Sequence, residues 1–111
     1  MKRTHISLKS NHQFFIINQK EILYFFTSKL KTEVMLKNGK NIKVDTAILN
    51  LEQELNHQLF FQTHVNYHIN IKAIDLIFKK KTQWYIVLTN KTELPMDKSS
   101  MELFKKRFII A

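Results

Sequence analysis

The chain has no cysteine among its 111 residues. Disulfide scaffolds, thiolate zinc sites and cysteine nucleophiles are therefore excluded, and a reducing, cytosolic compartment fits. There is one glycine and one proline. A single glycine cannot build a glycine-rich phosphate loop, and no G-x-S-x-G elbow is present. Arginine stands only at Arg3 and Arg107. Long apolar runs are missing: "FFII" (14–17) and "ILYFF" (22–26) are far too short to span a membrane. The start, "MKRTHISLKS", is basic but continues into polar residues, so no signal peptide is expected. With no low-complexity linker and no internal repeat, residues 1–111 are expected to form one domain.

What is present suits a packed globule. The chain is 44% hydrophobic and 12% aromatic, with nine phenylalanines to build a core without metals or disulfides. Eighteen Lys and Arg against nine Asp and Glu give a formal charge of +9. Such a balance favours anionic partners: nucleic acid, a membrane surface or acidic protein. Lysine dominance also serves plain solubility.

Hydrophobic periodicity predicts many short strands and two helices. Strands are expected at 13–17, 21–28, 32–37 and 40–44. Val34 with Leu36, and Ile42 with Val44, fall on single faces, and Asn38-Gly39 forms the hairpin turn because both positions tolerate positive φ. In 45–57 the period changes: Ile48, Leu51 and Leu55 mark an amphipathic helix capped by Asp45 or Thr46. Residues 73–78 alternate Ile74, Leu76 and Phe78 against Asp75 and Ile77, and "KKK" (79–81) reads as a turn. "QWYIVLT" (83–89) is apolar on both sides and so central. Asn90-Lys91 turns into "TELPM" (92–96), where Pro95 implies an edge or a strand end. Residues 99–108 are helical, with Ser99 and Glu102 fitting a capping box and Met101, Phe104 and Phe108 an apolar stripe. The expected fold is mostly β.

Catalytic constellations do not assemble. Glu52 and Glu54 are two apart on a predicted helix and face different ways. His64 and His68 in "HVNYHIN" (64–70) share a face on either a helix or a strand. Zinc, however, needs three or four ligands, and His5, His12 and His57 lie far off without ligand spacing. No enzyme, cofactor or metal is expected. Read as extended chain, Thr63, Val65, Tyr67, Ile69 and Ile71 make an apolar face and His64, Asn66, His68 and Asn70 a polar one. A short helical turn is equally open. His68 reads as incidental and exposed, Asn70 as structural.

The order of these pieces resembles the LytTR-type DNA-binding domain of bacterial transcription regulators. "EILYFFTS" (21–28) is similar to that family's I-x-Y-I/F-E strand and following loop. "LFFQTHVNYHINIKAI" (59–74) is similar to its central signature, with Phe60, Phe61, His64, Tyr67, Asn70 and Ile74 matching. "TELPMDKS" (92–99) is similar to the L-P-V-S-R strand before the last helix: Leu94, Pro95 and Met96 fit, and Lys98 stands at the arginine.

The resemblance implies elongated antiparallel β-sheets and sequence-specific double-stranded DNA binding by loop side chains, without a recognition helix. Carried over, the contacting loops hold Thr27, Ser28, Lys29 and Lys31, then His64, Val65 and Asn66, then Asp97, Lys98 and Ser99. Lysines would neutralise phosphates, Asn66 would bond base edges, and the first turn of the last helix would hold a phosphate. It also implies a cytoplasmic, nucleoid-associated bacterial protein acting on promoter direct repeats, with a homodimer on DNA and no membrane. The receiver domain that commonly precedes this module has no counterpart here. Two positions depart from the family: Val65 where it often has arginine, and Asp97-Lys98 where it often has Ser-Arg. They motivate a rival reading, a β-rich protein-interaction module with lost or weakened DNA reading.

Overall fold

The computed structural model describes residues 4–29, 31–45 and 51–108. Among them the chain forms ten strands and one α-helix: β1 (His5–Ser10), β2 (Gln13–Asn18), β3 (Ile22–Ser28), β4 (Lys31–Leu36), β5 (Asn41–Val44), β6 (Phe60–His64), β7 (Tyr67–Asn70), β8 (Ile74–Lys80), β9 (Gln83–Leu88), β10 (Glu93–Met96) and α1 (Lys98–Arg107). Every pairing is antiparallel. The strands make three sheets, ordered β1-β2, β10-β9-β8 and β5-β4-β3-β7-β6. The molecule is elongated, 44 × 30 × 24 Å.

The five-stranded sheet is a shared wall between two cores. On one face Phe25, Val34, Leu36, Ile42, Val44 and Phe60 pack with Ile6 and Leu8 of β1. On the other, Leu23, Phe61 and Ile69 pack with Ile86, Leu88, Met96, Met101 and Phe104. The alternation of side chains along a strand explains the split: Phe60 and Phe61 are neighbours and enter opposite cores. The expected faces of Val34 with Leu36, and of Ile42 with Val44, are both the first-core face. Strand β9 is central in its sheet and β10, carrying Pro95, is an edge.

Two hairpins share one loop geometry. In the first, the N–H of Gly39 donates to Leu36 O, the N–H of Leu36 donates to Lys40 O, and the N–H of Lys40 to Asn38 Oδ1. In the second, Lys91, Leu88, Thr92 and Asn90 repeat these bonds. Each loop needs one left-handed residue, and these are Gly39 at φ 89° and Lys91 at φ 75°. In the first hairpin only Gly39, not Asn38, has positive φ.

Several sequence expectations change. Residues 63–71 are not one strand: Val65 and Asn66 turn between β6 and β7, with a register shift between Gln62 and His64. Val65 is therefore exposed at a tip, whereas His68 and Asn70 are buried. A bulge between Ile74 and Leu76 inverts the next alternation, so Ile77 packs inward with Ile74 and Leu76 faces out. Lys79 and Lys80 belong to β8, and only Lys81 and Thr82 turn. Of the helix expected over 45–57, residues 46–50 lie outside the described residues, and Glu52–Glu54 is a single 3₁₀ turn. The last helix starts a residue earlier than expected, with Asp97 rather than Ser99 at the N-cap position.

Buried polar groups fix the joints between elements. Asn70 Nδ2 donates to Ile22 O at 2.9 Å, and its Oδ1 accepts from the N–H of Lys72. Gln19 Nε2 donates to Glu54 O, and its Oε1 accepts from the N–H of Asn56, both at 2.9 Å. A side chain this deep is stable only when such bonds are made.

Candidate nucleic-acid interface

The three loops singled out in the sequence are tied together through the β6–β7 turn. On one side the N–H of Thr27 donates to Asn66 O at 2.9 Å, joining the end of β3 to that turn. On the other the N–H of Asp97 donates to Thr63 O at 2.9 Å, joining the start of α1 to β6. Within the turn His64 Nδ1 accepts the N–H of Asn66 at 3.2 Å, and its ring packs edge-on to Tyr67 at 5.8 Å. His64 Nε2 then faces Asp97 Oδ1 at 3.9 Å. His64 thus braces two loops at once.

Exposure sorts the candidates. Lys29, Lys31, Lys98, Ser99 and Val65 are exposed, Val65 at 69% despite its apolar side chain. His64, Asn66 and Asp97 are half-buried. Lys29 sits at the β3–β4 tip with φ 59°, a left-handed conformation that a non-glycine residue adopts at some cost. Asp97 adopts extended φ and ψ before α1, and its side chain makes no capping hydrogen bond. Its carboxylate still lies at the positive end of the helix, which favours a negative charge.

Further basic residues adjoin these loops that sequence reasoning did not single out. The β8–β9 tip brings Thr82, Gln83 and Trp84 into a cleft with His64, Asp97, Lys98 and Ser99. Lys79 and Lys105 place their Nζ atoms 5.7 and 5.8 Å from the Trp84 ring, within cation–π reach. Lys43 of β5 shares a recess with Ser28, Lys29 and Lys31. The signal was available in the run Lys79–Lys81 followed by Trp84, but pairing across strands is what carries it to the interface.

The two histidines of the stretch have separate duties. His68 Nε2 lies 3.1 Å from Glu52 Oε1, on the side of the sheet away from Tyr67. Burial pushes its pKa below the ordinary 6.5, against the opposing pull of Glu52. Its Nδ1 is buried without a hydrogen-bond partner. Among the described residues no group of three or more His, Asp or Glu side chains is placed to hold a metal.

The chain is thus a strongly basic, mostly β module whose candidate loops are held side by side by backbone hydrogen bonds. The family follows: residues 12–109 match the model of the LytTr DNA-binding domain, and the chain belongs to that LytTR family. Among solved structures, a LytTr DNA-binding domain from Bacillus cereus superposes with a TM-score of 0.82 at 16% identity, covering 97% of this chain and 99% of that one. No curated protein matches. The family is one of DNA-binding modules of regulators rather than of catalysts. No helix among the described residues is long and apolar enough to cross a membrane.

Proposed function

We propose that this chain binds double-stranded DNA sequence-specifically as the reading module of a bacterial transcription regulator, acting in the cytoplasm. One observation carries the reading: backbone hydrogen bonds hold the three loops in a fixed relation, Thr27 to Asn66 and Asp97 to Thr63. Side chains on loops read DNA only if their spacing is fixed, because each base contact depends on register with the phosphates. Lys29, Lys31 and Lys98 serve the phosphates as point charges. Asn66 has the donor and acceptor to bond an adenine edge, and exposed Val65 suits the methyl group of thymine. The N–H groups at the start of α1, beside Ser99, suit a phosphate. The module acts on promoter direct repeats, two copies side by side.

Selection of bound sequences from random duplex, followed by fluorescence anisotropy against salt, tests this. Enrichment of one motif is expected, with affinity falling by roughly one log unit per phosphate contact for each log unit of salt. Salt-independent binding, or no binding to any duplex at low salt, would overturn it. The latter favours a second reading, a protein-interaction module, which draws on the exposed apolar Val65 and the acidic Asp97 where phosphate contacts are otherwise expected.

A further inference from the structure

One face of the five-stranded sheet is covered over only part of its width. Two cross-strand rows of side chains run over that face. The first is Asn41, Met35, Tyr24, Ile69 and Phe61; the second is Lys43, Glu33, Phe26, Tyr67 and His64. At the β6 end Ile69 and Phe61 are buried, Phe61 edge-on against Phe104 of α1 at 5.5 Å. Toward β5 the cover ends. There Tyr24, Phe26, Glu33, Met35, Asn41 and Tyr67 line an open recess of about 220 Å³.

The recess has an uncommon composition for an exposed sheet face. Tyr67 closes its β7 side, 4.9 Å from the Phe26 ring and 6.1 Å from the Tyr24 ring. Burial, with Tyr67 and Glu33 nearby, raises the Tyr24 hydroxyl above its ordinary 10, and burial raises that of Tyr67. Both therefore stay neutral donors and acceptors. Glu33 Oε1 accepts from Asn41 Nδ2 at 3.4 Å and keeps further acceptor capacity. Phe26 and Glu33 also line a second, adjoining recess whose other walls include the cations Lys29, Lys31 and Lys43.

We propose that this face binds single-stranded nucleic acid, taking an unpaired base in the aromatic recess and its phosphates on the lysine rim. Three features select this occupant. Aromatic rings on an open sheet offer stacking to any base, but only to one whose face is free, which a base inside a duplex lacks. Glu33, Asn41 and the tyrosine hydroxyls match the edge of an unpaired base, and a carboxylate accepts from an exocyclic amino group. Phosphate is excluded from the recess by Glu33 and attracted to its rim by Lys29, Lys31 and Lys43. The aromatic recess lies outside the three loops, while its rim shares Lys29 and Lys31 with the loop proposed above for duplex phosphates, so the site adds a second nucleic-acid activity that rests in part on the same lysines. DNA and RNA strands share this chemistry.

Anisotropy of labelled oligodeoxycytidine, oligodeoxythymidine and oligocytidine RNA against the full chain tests it. Both cytosine strands, or one of them, are expected to bind, identifying the sugar preferred, and oligodeoxythymidine, which lacks the exocyclic amino group, to bind several-fold more weakly. Phe26→Ala should weaken single-strand binding by about five-fold or more, the loss of one stacking contact, while changing duplex affinity less than about two-fold. Phe26→Leu keeps an apolar side chain there and removes the aromatic face, so it gives the same result if the alanine variant melts early. Glu33→Gln should reduce the cytosine preference. No binding of any single strand at low salt would overturn the proposal. So would equal losses for duplex and single strand in Phe26→Leu, or displacement of the strand by a peptide but not by unlabelled strand.

Discussion

His64 and Asp97 meet across two loops, Nε2 to Oδ1 at 3.9 Å, while the N–H of Asp97 holds Thr63 O beside them. An acid is thus fixed among groups expected to face phosphate. Asp97→Asn keeps the shape and removes the charge. Duplex affinity is expected to rise roughly three-fold at low salt, since one unit charge several ångströms away in water is worth under about 1 kcal/mol. The gain should shrink as salt screens it. Weaker binding in the variant would mean that the carboxylate serves the loop geometry more than it opposes DNA.

Val65 and Asn66 carry the expected base contacts. Sequence selection with Val65→Arg should move the preference at one position from thymine toward guanine, which arginine bonds bidentately. Asn66→Ala should relax one position, at a cost of about 1–3 kcal/mol on the preferred site. Lys98→Ala, by contrast, should weaken all sequences alike and lower the salt slope by about one. Unchanged motifs in the first two variants would remove the β6–β7 turn from base reading.

Asn70 and Gln19 are buried at 1% exposure, and each bonds two backbone groups. Asn70→Ala leaves the carbonyl of Ile22 and the N–H of Lys72 without this partner. A loss of about 2–3 kcal/mol is expected from urea unfolding, with little change in the slope. Gln19→Ala should cost about as much.

His68 makes stability depend on pH. Its folded pKa lies below the ordinary 6.5, chiefly through burial, so the unfolded chain takes up its proton first. The stability it contributes is present above about pH 6.5 and is lost as pH falls through the folded pKa. The melting temperature should therefore decline from pH 7 toward pH 5, and His68→Gln should flatten that decline. An unchanged profile in the variant would assign the acid sensitivity to another group.

Lys91 occupies the left-handed position that Gly39 fills in the matching hairpin. Lys91→Gly removes a strain of about 1–2 kcal/mol and adds backbone entropy to the unfolded state. A net stabilisation of about 0.5–1 kcal/mol is expected, read as a rise of a few degrees in melting temperature. A fall would show that its lysine side chain holds the turn by other contacts.

Much of the fold was legible because local patterns agree with it. Asn38-Gly39, the alternation in β4 and β5, and the edge position of Pro95 all follow from turn chemistry and period two. Bulges were not legible. The register shifts at Gln62/His64 and Ile74/Leu76 each displace the alternation by one residue, which exchanges inside for outside. The first sets His64 beside Tyr67 instead of on the face of Gln62, and the second is why Ile77 rather than Leu76 packs inward. His68 keeps its alternation but is buried because both faces of this sheet are covered, its own by the segment carrying Glu52. The loop residues came from motif order. The bracing of those loops by backbone hydrogen bonds, and the pairing that sets Lys43 beside Lys29 and Lys31, depend on contacts far apart in the chain.

Phe60 and Phe61 are adjacent and enter opposite cores. One stretch of backbone thus anchors side chains in both hydrophobic layers. The domain should melt in a single transition, and damage to the layer beneath the β1–β2 hairpin should be felt at the loops on the far side of the wall.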